Sequence, residues 1–129
     1  MLKWVGRLLF NRLDKQGEAA HIQHPDSEEH CLKVTTIGVN VTLDDIFAVE
    51  DALKDAFEKS GVGIVDGHDI AVDGSHAIFY MYGPDAKAMF SVALPILQAN
   101  RATATGEAEL RFGDVDNDHA RIEKHSLVS

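Results

Sequence analysis

Seven histidines, one cysteine and 21 acidic side chains are the groups in this 129-residue chain with chemistry to offer. Their spacing decides what that chemistry amounts to. His21-x-x-His24, followed by His30 and Cys31, brings imidazole and thiol ligands suited to zinc into a short span. The spacing fits no finger or ribbon pattern, and a site would require a polar stretch to fold around the ion. Solvated linker histidines are the simpler reading. His68 and His76 flank Asp73-Gly74, with Asp66 and Asp69 nearby. Facing one another across a hairpin they would form a metal or pH-sensitive pair; as ordinary surface residues of the turn they would do neither, and that is the simpler reading. Asp114-x-Asp116-x-Asp118 has the opening spacing of an EF-hand loop. Its sixth position is His119 where the loop needs glycine, and its twelfth is His125 where it needs glutamate. It reads as a solvated acidic turn.

Other catalytic arrangements are missing. No G-x-S-x-G elbow is present, and Cys31 opens a β-rich stretch with no base beside it. Gly61-x-Gly63 and Gly67 are wrongly spaced for a phosphate loop and lead into no helix. The pairs Asp44-Asp45 and Glu50-Asp51 fall on a helix, where adjacent side chains diverge and do not converge on one substrate atom. The expectation is a protein that is not an enzyme, with no cofactor and no metal.

Charge narrows the partners. Twelve Lys and Arg against 21 Asp and Glu give a formal net charge of -9, which repels phosphate backbones and excludes broad nucleic-acid binding. A basic protein is the partner this charge suits. The imbalance is uneven, since residues 1–20 hold Lys3, Arg7, Arg12 and Lys15 against Asp14 and Glu18. A single cysteine permits no internal disulfide and favours a reducing compartment. No apolar run is long enough to span a bilayer. The opening MLKWVGRLLFNRL is interrupted by Arg7 and Arg12 and is followed by no small-residue cleavage site, so it does not read as a signal peptide. The cytoplasm is the expected location.

The elements follow from periodicity. Residues 1–16 carry Leu2, Val5, Leu9 and Leu13 on one helical face, widened by Trp4 and Leu8, with Lys3, Arg7, Asn11 and Asp14 opposite. This helix either packs on the domain or lies in a membrane interface through residues 2–13; a small domain has ready use for its apolar face, which favours packing. Residues 17–29 are a polar linker, and residues 30–129 form one domain. Residues 31–41 are β-rich, with Ile37, Val39 and Val41 alternating and a change of parity at Thr35-Thr36. Thr42-x-x-Asp45 predicts a capped helix that buries Ile46, Val49, Leu53, Ala56 and Phe57 and stops at Gly61. Val62–Val72 is a second strand, kinked or bulged at Asp66-Gly67. Asp73-Gly74 turns it into a third, Ala77–Tyr82. Gly83-Pro84-Asp85 begins a second helix, with proline expected near its first position. Ala86, Met89, Phe90, Ala93, Leu94 and Leu97 keep its buried face, and Pro95 on the exposed side predicts a bend or fraying. A fourth strand buries Ala108, Leu110 and Phe112 and exposes Glu107, Glu109 and Arg111; residues 120–128 are either an edge strand or a tail.

The order β-α-β-β-α-β predicts an α+β fold, an antiparallel sheet of the ferredoxin-like type with both helices on one face. Two surfaces then stand out. Phe47 lies outside the buried arc of the first helix, among Glu50, Asp51, Lys54, Asp55 and Glu58. An exposed phenylalanine ringed by acids suits a basic partner, though packing beneath the N-terminal helix would also use it. On the third strand, Phe79 and Met81 are expected to face the helices, leaving Tyr80 and Tyr82 beside Glu109 and Arg111. That open face suits a contact surface or a homodimer interface, unless the leading helix or a tail strand covers it. The preferred reading is a small acidic binding or regulatory domain, inhibitor-like in kind. The alternatives are a ligand-binding or catalytic domain with a pocket between sheet and helices using Tyr80, Tyr82 or His76, and a peripheral membrane protein.

Overall fold

A computed structural model describes residues 29–129. The expected helix over residues 1–16, nearly all of the linker 17–29, and the candidate ligands His21 and His24 lie outside the described residues. The elements are β1 (His30–Thr35), α1 (Leu43–Ser60), β2 (Ile64–Ile70), β3 (Ala77–Gly83), α2 (Ala86–Ala99), β4 (Glu107–Phe112) and β5 (Arg121–Ser126). The strands form one antiparallel sheet in the order β2-β3-β1-β4-β5. Residues 121–126 are thus a paired edge strand, and Leu127 just beyond it is fully buried.

The core lies between the helices and one face of the sheet. Leu32 and Val34 of β1, Phe79 and Met81 of β3, and Ala108 and Leu110 of β4 meet Ile46, Val49, Leu53 and Phe57 of α1 and Met89, Ala93 and Leu97 of α2. Strict alternation makes this possible, since every second residue of a strand turns to the same face.

α1 begins as its signals require. The Thr42 hydroxyl accepts from the Asp45 N–H at 3.2 Å, and the Asp45 carboxylate accepts from the Thr42 N–H at 2.9 Å. Arg101 also donates to this carboxylate at 2.6 Å, tying the start of α1 to the end of α2. The helix stops at Gly61 in the left-handed region, φ 69°, where a side chain would be strained.

Two local expectations are corrected. Pro84 does not occupy the first turn of α2. Asp85 is the N-cap, accepting from the Lys87 and Ala88 N–H groups, and Pro84 precedes it. The β-rich stretch 31–41 does not continue as a strand either. β1 ends at Thr35, and Gly38 adopts φ 77°, which turns the chain and leaves Ile37 half-exposed while Val41 is buried. Thr36 closes the strand by exchanging bonds with Ala77, through its N–H and through its hydroxyl. α2 runs on through the exposed Pro95 to Ala99, and the Leu97 carbonyl accepts from the buried Thr103 hydroxyl at 2.6 Å.

Candidate functional site

A one-residue bulge in β2 decides which side chains meet. Ile64 and Val65 pair with Tyr82 and Met81, but the register then shifts so that Gly67 pairs with Tyr80 and His68 with Phe79. Without the extra residue, His68 would stand opposite Ile78 on the other face of the sheet. The shift sends His68 toward α1 and Asp69 to the opposite face.

On the helix side, His68 Nδ1 lies 2.8 Å from Glu50 Oε2. Glu50 is only 6% exposed, so this carboxylate belongs to the interior and not to the acidic solvent face expected for it. A buried carboxylate needs such a partner, because losing water without compensation is costly. The His68 ring also meets Phe47 edge-on, with centroids 6.4 Å apart. Phe47 remains 49% exposed on this support. Asp51, Asp55 and Glu58 follow it at helical spacing along α1 and are all exposed. Asp55 pairs with Lys59 at 3.0 Å, a solvent-exposed contact of small energetic weight.

Tyr80 and Tyr82 are elsewhere. Phe79 and Met81 are fully buried beneath the helices, as the alternation requires, and the tyrosines occupy the opposite face of the sheet. The predicted partner-binding residues therefore divide into two surfaces, Phe47 with Asp51, Asp55 and Glu58 on α1, and the tyrosines across the sheet. Tyr80 donates to the Asp69 carboxylate at 2.9 Å. Desolvation, and then this carboxylate, raise its pKa. Tyr82 stands opposite Cys31, which stands opposite Arg111. Burial pushes the Cys31 thiol up to about 11 and raises Tyr82 as well. The thiol is therefore protonated at neutral pH and a poor nucleophile. His76 is exposed in the turn before β3, next to the Ser75 hydroxyl. It does not face His68, which has turned to α1. None of Tyr80, Tyr82 and His76 lies between sheet and helices, where the pocket reading would need them.

The remaining sequence candidates have structural roles. His30 Nδ1 accepts the Ala86 N–H at 3.0 Å, satisfying a free amide at the start of α2. The acidic turn after β4 is organised around a cation of the chain's own, because Arg111 donates to the carbonyls of Asp114, Val115 and Asn117. Asp114 accepts from the Glu29 N–H at 2.7 Å. Among the described residues, no three His, Cys, Asp or Glu side chains converge as metal ligands. Among them also, no helix is long and apolar enough to cross a membrane.

A second polar group was not anticipated. On β5 the Glu123 carboxylate is bonded by Arg121, lies 3.2 Å from His125 Nε2, and lies 3.7 Å from Lys87 Nζ. Arg121 also sits over the Phe112 ring, and His125 stacks on Phe90. These contacts cover the apolar edge of α2 and β4 with amphipathic side chains. Alternation along 121–126 would have placed Arg121, Glu123 and His125 on one face, but only strand pairing establishes which face that is. Compared with family models, with curated proteins and with solved structures, the chain matches none.

Proposed function

We propose that this protein is a small non-catalytic binding domain that engages a basic protein through the exposed face of α1, built on a ferredoxin-like frame. The strand order β2-β3-β1-β4, with helices after β1 and β3, supports the split βαβ reading, and β5 extends that frame beyond β4. The observation that carries the functional reading is Phe47. It is half-exposed, braced from behind by His68, and in line with Asp51, Asp55 and Glu58. An aromatic anchor held by its neighbours loses little freedom on binding, and surrounding acids favour the approach of a basic surface.

The test is affinity capture on immobilised wild type and on the double variant Phe47→Ala/Asp51→Asn, at low and high salt, followed by titration of the captured partner. The expected partner is basic, is released by salt, and binds the variant about 30-fold more weakly, the equivalent of about 2 kcal/mol. Equal affinity of wild type and variant for that partner would overturn the reading.

A further inference from the structure

The sheet face opposite the helices carries, in successive rows, Ile64–Tyr82–Cys31–Arg111–Ile122, Gly67–Tyr80–Lys33–Glu109–Lys124 and Asp69–Ile78–Thr35–Glu107–Ser126. The first row is mostly apolar, and its ends, Ile64 and Ile122, are 44% and 45% exposed. Both helices occupy the other side. We infer that this face is the docking site of the chain's own residues 2–16, laid across the strands with Leu2, Val5, Leu9 and Leu13 against the row of Ile64, Tyr82 and Ile122.

Three observations carry this choice of occupant. The first is position. Residue 28 leads directly into Glu29, and β1 enters the middle of the sheet at His30, beside the apolar row. The twelve residues 17–28 reach up to roughly 40 Å when extended, more than enough to return over the face. The second is size. Fifteen helical residues are about 22 Å long, and five strands span about 19 Å between the outer axes, so one such helix covers the sheet from edge to edge. The third is charge. Residues 29–129 hold nine more acidic than basic side chains, whereas residues 1–20 hold two more basic than acidic. The segment is attracted to the acidic body as a whole, by which a second acidic copy would be repelled.

The chain supplies its own probes. Trp4 is the single tryptophan, and Tyr80 and Tyr82 are the only two tyrosines. Docking brings the one fluorescent acceptor onto the face that holds both donors. In the full-length protein the expected result is a Trp4 emission blue-shifted from that of the isolated 1–28 peptide, with a contribution from tyrosine excitation. Tyr80→Phe/Tyr82→Phe removes that contribution and keeps the blue shift, whereas Val5→Asp/Leu9→Asp removes both without touching the sheet. Emission matching the free peptide would overturn the inference. So would energy transfer that disappears on dilution, which would assign the face to a second copy. A blue shift seen only with anionic vesicles would also overturn it, since it would assign the segment to a membrane. The α1 variant Phe47→Ala/Asp51→Asn lies on the other side and leaves this signal unchanged.

Discussion

Replacing Glu50 by alanine removes the carboxylate that meets His68 Nδ1 at 2.8 Å and leaves a half-buried imidazole unsatisfied. The expected cost is about 1–3 kcal/mol, read from urea unfolding, with Glu50→Gln recovering part of it because the amide still reaches the ring. If Glu50→Ala unfolds at the same urea concentration as wild type, the pair is not a structural contact. Cys31 yields a pH prediction. Its pKa rises on folding from an ordinary value near 9 to about 11, chiefly through burial. A raised acid pKa leaves stability intact below the unfolded value, and stability is lost as pH climbs through the folded one. Wild type should therefore lose stability from about pH 9 to 11, and part of that loss should be absent in Cys31→Ala, with Tyr82 and Tyr80 contributing in the same direction. Iodoacetamide should alkylate the native thiol slowly and the urea-unfolded thiol fast. At Gly83, a methyl group would press on the Val62 carbonyl and on Gly63 Cα, both backbone. Gly83→Ala should cost more than Gly67→Ala, where nothing lies within 4 Å.

At the scale of elements, α1 is held at its start by a reciprocal cap and an ion pair, and Thr42→Ala should cost about 1 kcal/mol in thermal or urea unfolding. The bond from the Thr42 N–H, followed by Arg101, holds the Asp45 carboxyl below the usual carboxylate range. A lowered pKa contributes stability above the ordinary value, and that contribution is lost as pH falls through the folded one. Acid unfolding of Thr42→Ala should accordingly begin from a lower plateau. β5 is anchored by Leu127, fully buried and bonded through its N–H to the Gly106 carbonyl. Leu127→Ala should cost about 2–5 kcal/mol and release the strand, measured as faster amide exchange over 121–126. α1, α2, β3 and β4 were legible because each combines a clean period with a boundary signal. The end of β1 was not, since Ile37, Val39 and Val41 keep a strand's alternation while Gly38 has already turned the chain.

For the whole molecule, the two faces have different prospects. The α1 face presents one aromatic ring with three acids, and the far face of the sheet is a mixed, nearly neutral surface. Removing residues 1–28 should lower the stability of the remainder and expose Ile64, Tyr82 and Ile122, detectable as increased dye binding and self-association. It should leave salt-sensitive binding through Phe47 unchanged. If the truncated protein instead loses partner binding while keeping its stability, the roles of the two faces are reversed.

The amino-acid sequence by itself determined the α+β class, the two helices with most of their buried arcs, the start and stop of α1, and the orientation of Phe79 and Met81 toward the helices. These depend on local period and local backbone chemistry, which a linear reading contains. The tertiary structure alone decided that Glu50 is interior, that His68 is its partner, that β5 joins the sheet, and that Arg111 fills the acidic turn. Each of these depends on register. A single bulge at Val65–Gly67 moves every later side chain of β2 to the other face, and pairing between strands far apart in sequence fixes where that shift is absorbed.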